Sequence, residues 1–233
     1  MKKWLGASLL LNVALIAAGV WGSLVISEMV TSRIGENAQR LQTQFDALSP
    51  PPGTIVFVGD SITQGGWWAE LFGNPSIVNR GIGGNTTADL LGRIDTIHAL
   101  APGTLFLMIG INDLNVGLTR AETFANLGRL FDGFDRNLPD TEIYVQSVLP
   151  VNDQWWKEID PADIEAINER LRAESVARGY RFVDLRPAFV DADGKLRPDL
   201  SNDGIHLLGA GYLAWREEFG RQGIDLGPLP REP

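Results

Sequence analysis

"IVFVGDSITQ", residues 55–64, carries four apolar residues into Gly-Asp-Ser and then into a polar, helix-like pattern. A strand covered on both faces reads as a continuous apolar run, whereas a strand with one wet face alternates. Residues 54–58 therefore read as an interior strand, and Ser61 falls where that strand hands over to a helix. The same handover recurs along the chain. Apolar runs at 54–58, 76–79, 105–110, 142–148 and 181–185 are separated by helical patterns near 62–72, 86–99, 121–137 and 161–178, and a last helix starts near His206. Strand and helix in alternation predict the α/β class, with a parallel sheet covered by helices on both faces. In such sheets ligands bind beyond the carboxyl ends of the strands, so the polar residues just after each apolar run are the ones to inspect.

The segment before the first strand has a different character. Lys2 and Lys3 precede an uncharged stretch at residues 4–26, which is closed by Glu28. Its length is close to the roughly 20 residues that a helix needs to span a bilayer. A cleaved signal peptide has a shorter apolar core, so residues 1–28 are expected to be a membrane anchor, or a signal segment if cleavage occurs. The flanking lysines predict that the N-terminus stays in the cytoplasm and that the rest is exported, periplasmic or extracellular, and secreted if the segment is removed. Residues 29–52 follow as a helical stalk: Ile34, Ala38, Leu41, Phe45 and Leu48 recur at spacings of four and three, and "SPPPG" at 49–53 ends them. Residues 53–233 form the expected catalytic domain. With 29 acidic against 20 basic residues and a net charge of −9, the chain is a poor partner for nucleic acid. Without cysteine, thiolate chemistry and Cys-bound metals are excluded.

Four loops carry candidate chemistry. Ser61 stands after the first strand, where its hydroxyl and its N–H could face the crevice, although Asp60-Ser61 is also what helix capping produces. After the second strand, "NRGIGGNTTADLL" at 79–91 supplies Gly81, Gly83 and Gly84, which permit a tight turn with unshielded amides. Thr86 stands where a dinucleotide loop has its third Gly, and a P-loop Lys is missing, so an anion-binding turn fits better than a nucleotide site. A plain Gly-rich turn capped by Asn85 or Thr86 fits the local sequence equally well. "GINDL" at 110–114 places Asn112 after the third strand, either as an amide donor to a developing oxyanion or as an Asx turn. Near the C-terminus, "SNDGIHLLGAGYLAW" at 201–215 sets Asp203 three residues before His206, a spacing at which a carboxylate can hold an imidazole in one tautomer. The other histidine, His98, sits near a helix end.

Taken together, "GDSIT", "NRGIGGNTT", "GINDL" and "DGIHL" resemble, in order and spacing, the sequence blocks of the SGNH, or GDSL-type, hydrolases over residues 54–220. Ile62 replaces the usual Leu of the first block. The "GIGGNTT" segment is most similar to the platelet-activating-factor acetylhydrolase branch. The resemblance implies a three-layer α/β/α, flavodoxin-like fold of about five parallel strands and a serine esterase that needs neither metal nor organic cofactor. It also implies Ser61, Asp203 and His206 as catalytic residues and Ser61, Gly84 and Asn112 as oxyanion donors. Short acyl esters, acetyl above all, are the expected substrates, borne on cell-envelope carbohydrate or lipid. A lysophospholipase or thioesterase, an acyltransferase and a non-catalytic envelope-binding module are the alternatives. Trp67-Trp68 and Trp155-Trp156 could border the crevice and hold sugar or acyl groups. "DADGK" at 191–195 lacks the later ligands of a calcium loop and reads as a turn.

Overall fold

The structure is a computed structural model that describes residues 2–48, 50–152 and 159–227. The chain divides into two units, Met1–Thr43 and Gln44–Pro233. The first belongs to a single helix, α1 (Lys2–Ala47), which runs without a break through the expected junction between anchor and stalk. It stops just before Pro50, Pro51 and Pro52, which cannot continue an α-helix. Side chains of residues 2–15 lie outside the described residues. Among those that are described, no helix is long and apolar enough to cross a membrane.

The second unit is built on five parallel strands, β1 (Ile55–Gly59), β2 (Ile77–Gly81), β3 (Thr104–Met108), β4 (Glu142–Gln146) and β5 (Arg181–Val183), in the order β2-β1-β3-β4-β5. Strand order reverses between β1 and β3, which is where a doubly wound sheet opens its crevice. The helices between the strands are α2 (Ser61–Gln64), α3 (Trp68–Phe72), α4 (Thr87–Gly92), α5 (Ile94–His98), α6 (Ile111–Asn115), α7 (Arg120–Asn137) and α8 (Pro161–Arg178). After β5 come α9 (Arg186–Phe189) and α10 (Gly209–Arg221). Helices α4, α5, α7 and α8 pack together in one layer, and α3, α9 and α10 in another. The three-layer α/β/α expectation is met.

Side-chain alternation sorts the core into two halves. Phe57, Phe106 and Tyr144 are register neighbours on β1, β3 and β4, and they stack with ring centroids 4.7 and 4.5 Å apart. Phe219 of α10 packs on this ladder, 5.1 Å from Phe106, and Trp68 of α3 lies flat on Phe57 at 4.2 Å. Residues of opposite parity, such as Val56, Val58, Leu105 and Leu107, point the other way, toward the layer whose buried residues include Leu127, Phe131 and Ile167. Offset aromatic stacks add about 0.5–1.5 kcal/mol per pair beyond burial, so this ladder stiffens the strands that carry the site.

Candidate active site

Ser61 is the first residue of α2, directly beyond β1. The handover is tight: a Cβ on Gly59 would collide with the Met108 carbonyl and with Thr63. Asp60 caps α2, its Oδ1 accepting from the Ile62 N–H at 3.0 Å. The far end of α2 is also held. Asn79 on β2 donates its side-chain amide to the carbonyls of Thr63, Gln64 and Gly66 at 2.8, 3.1 and 2.9 Å. The Tyr212 hydroxyl donates to the Ile62 carbonyl at 2.8 Å. A four-residue helix has little stability of its own, so these long-range contacts fix the serine in place.

The expected Ser-His-Asp chain is assembled. His206 Nε2 lies 2.9 Å from Ser61 Oγ, and His206 Nδ1 lies 2.6 Å from Asp203 Oδ2. The local structure differs from the helical turn that the spacing suggested. The last helix starts at Gly209 rather than near His206, and residues 201–208 form a loop pinned by a Ser201–Leu207 bridge. Asp203 meets His206 because its Oδ1 accepts the backbone N–H groups of Ile205 and His206, at 3.0 and 2.8 Å, an Asx-type turn. Burial would push the Asp203 carboxyl up, yet the hydrogen bonds from His206 and Ile205 together hold it below the ordinary carboxylate value. It is therefore an anion at neutral pH.

Gly83 and Gly84 have separate roles. The Ile82 carbonyl accepts from the Asn85 N–H at 3.2 Å, and Gly84 has φ of 79°, the third-position geometry of a type II turn that glycine supplies best. Gly83 donates its N–H to Gln64 Oε1 at 2.5 Å, whereas the Gly84 N–H donates to no group among the described residues. Thr86 caps α4 in a capping box with Asp89. Asn112, in α6 beyond β3, spends one side-chain N–H on the Asn85 carbonyl at 3.0 Å, which leaves the second free to donate. Ser61 and Asn112 thus follow β1 and β3, the two strands that flank the reversal of strand order.

Sequence reading missed the polar groups beneath these loops. Asp113, wholly buried, accepts from both the N–H and the hydroxyl of Thr87 and so ties the third loop to the second. Asn79, Asn85 and Arg93 are likewise buried or half-buried, and the one available signal was Arg93, a charge set between Leu90-Leu91 and Ile94. Asp60 is the most perturbed carboxyl: burial, with help from the Asp113 charge, pushes it up to about 7 against the Ile62 hydrogen bond and the His206 charge. A group whose folded pKa is raised stabilises the protein below its unfolded value, and that advantage is lost as pH rises through the folded one. The melting temperature of the natural protein relative to Asp60→Asn, which keeps a capping side chain, is expected to fall as pH rises from about 4 to about 8. A pH-independent difference would show that Asp60 does not titrate in this window.

The tryptophan pairs need correction. Trp68 does not border the crevice: it is 1% exposed, stacked on Phe57, and its Nε1 donates to the Thr63 carbonyl at 2.9 Å. Trp67 is 77% exposed and, with Gln64, Trp68 and Glu70, lines a groove of about 350 Å³ to which Ser61, Asn112 and His206 do not contribute. Trp155 and Trp156 lie outside the described residues. "DADGK" is a turn in which Asp191 Oδ1 accepts from the N–H groups of Asp193 and Lys195.

A family model described as GDSL-like lipase/acylhydrolase matches residues 57–214, most of the chain and all of the residues assembled around Ser61. The chain belongs to this family. It is a hydrolase of ester bonds. Among relatives of this acylhydrolase, the platelet-activating factor acetylhydrolase IB subunit alpha1 of Bos taurus is 27% identical over 169 residues, which cover 68% of this chain and 69% of that one. A Streptococcus pneumoniae protein whose name points to platelet activating factor superposes with a TM-score of 0.77 at 29% identity, covering 85% of this chain and 98% of its own. A GDSL-like lipase of Bacteroides thetaiotaomicron gives 0.69 at 28% identity, covering 81% and 97%.

Proposed function

We propose that this GDSL-like acylhydrolase is a short-chain esterase that works through an acyl-enzyme on Ser61. The hydrogen-bonded chain from Ser61 Oγ through His206 to Asp203, at 2.9 and 2.6 Å, carries the reading. Ser61 Oγ attacks the ester carbonyl while His206 Nε2 takes its proton, and Asp203 steadies the imidazolium that forms. The carbonyl oxygen becomes an oxyanion that accepts from the N–H groups of Ser61 and Gly84 and from the free side-chain N–H of Asn112. The tetrahedral intermediate collapses as His206 returns the proton to the leaving alcohol. Water then repeats the sequence on the acyl-enzyme and releases the acid.

Acetyl is the favoured acyl group, because the related mammalian subunit is named an acetylhydrolase. We further propose that residues 1–28 tether the enzyme to a membrane and that residues 53–233 act outside the cytoplasm on acetylated envelope carbohydrate. Supporting this are the uncharged run after Lys2-Lys3 and the exposure of Ile16, Val20 and Trp21 on α1. The test is a series of p-nitrophenyl esters from acetate upward, assayed on the full chain with and without a competing sugar alcohol. The expected result is a kcat/KM that is highest for acetate, with water as the main acceptor. A maximum at long chains would refute the short-acyl reading, and acyl sugar as the main product would make the enzyme a transferase.

A further inference from the structure

Arg93 stands at the junction of α4 and α5, 8% exposed, with its side chain turned beneath the loops that present Ser61, Gly84 and Asn112. Its Nη2 donates to the carbonyl of Gly59, two residues before the serine, at 3.2 Å. Its Nε donates to Asn85 Oδ1 at 2.7 Å, and the carbonyl of the same Asn85 accepts the Asn112 side-chain amide at 3.0 Å. One guanidinium therefore grips the end of β1 and the glycine turn directly, and Asn112 at one remove. We propose that Arg93 is a positioning residue for ester hydrolysis, holding Asn85 so that the amides of Asn112 and Gly84 are aimed at the carbonyl oxygen bound to Ser61.

Cost argues for such a role. Among the described residues no carboxylate lies within ion-pair distance of Arg93, and its Nη1 has no hydrogen-bond partner. A buried cation with no direct ion pair is expensive, and burial, with the Arg80 charge and against the Asp89 charge, pushes this one down only to about 10, so it stays charged at neutral pH. Its sign favours an oxyanion in the loops it holds. A lysine at this place, with one nitrogen, could not reach both acceptors in the same fork.

This inference rests on the Ser61 reading, and the experiment separates the two. The full chain and its Arg93→Met, Arg93→Lys and Asn112→Ala forms, and the Arg93→Met/Asn112→Ala double, are assayed for kcat and KM on p-nitrophenyl acetate, with Ser61→Ala alongside and folding checked by circular dichroism. Arg93→Met is expected to lower kcat on the order of ten- to a hundredfold with KM nearly unchanged, and Arg93→Lys to recover little of it. In the Asn112→Ala background the same change is expected to lower kcat by a clearly smaller factor, because one of the two amides that Arg93 positions is already gone and only that of Gly84 remains. Equal losses in both backgrounds, a change in KM alone, or full recovery by lysine would overturn the proposal. If Arg93→Met does not fold, Asn85→Ala breaks the same link from the other side and is judged by the same outcomes. Full activity in Ser61→Ala would refute the serine mechanism itself, whereas an inactive Ser61→Ala beside an unimpaired Arg93→Met would refute only the role of Arg93.

Discussion

Ser61→Ala is expected to lower kcat on p-nitrophenyl acetate by about four to six orders of magnitude while leaving the fold intact, and His206→Ala by a similar factor. The structural cost is small because Ser61 is only half-buried and Asp60, not Ser61, caps α2. The chemical cost is large because nucleophile and base act as one unit across the 2.9 Å contact. For the same reason the double variant should be scarcely worse than either single one. Asp203→Ala is expected to fall between them and the natural enzyme in activity, and it also loosens the loop, since Asp203 accepts two backbone N–H groups as well as the imidazole. Measurement of single-turnover rates would expose contaminating esterase activity. A Ser61→Ala protein retaining more than about a hundredth of the natural rate would rule out the serine as nucleophile.

How far the sequence could be read depends on how local each cause was. The interior strands were legible because parallel strands covered on both faces leave uninterrupted apolar runs: "TIVFV" became β1 within one residue at either end, and "LFLMIG" became β3, which starts one residue earlier and stops two residues sooner, at Met108. The expected helix at 62–72 instead breaks into α2 and α3, because the Asn79 side chain takes the carbonyls of Thr63, Gln64 and Gly66. That contact comes from another strand, and no local pattern announces it. The helix expected at 86–99 likewise divides at Arg93, whose side chain turns inward to the Gly59 carbonyl. Short helices such as α6 and α9 leave too few turns for any periodicity to show. Trp67 and Trp68 illustrate the limit within a dipeptide: Trp67 precedes α3 with a non-helical backbone and stays in solvent, whereas Trp68, the first residue of α3, enters the core. Ser61, Asn112, Asp203 and His206 were legible for a simpler reason, since each follows directly on a strand end or lies in one short loop.

Asn112→Ala is expected to lower kcat by about a hundred- to a thousandfold with little change in KM, the signature of a hydrogen bond made only in the transition state. The amide is pre-aimed: one N–H is committed to the Asn85 carbonyl at 3.0 Å, which fixes the direction of the other before substrate arrives. A ground-state carbonyl carries little negative charge, so the donor contributes little to binding and much to the tetrahedral oxyanion. Asn112→Asp sharpens the test, because the carboxylate matches the amide in shape, donates nothing, and places a negative charge where another is to develop. The aspartate variant should therefore be slower than the alanine variant, and it should recover toward the alanine rate as pH falls and the carboxyl protonates. An aspartate variant as active as the alanine one, or an alanine variant altered in KM alone, would mean that Asn112 orders the Asn85 turn and does not touch the oxyanion. Crossing Asn112→Ala with an alteration of the turn at Gly84 then separates the two donors: amides that stabilise the same oxygen should each cost less once the other has been lost.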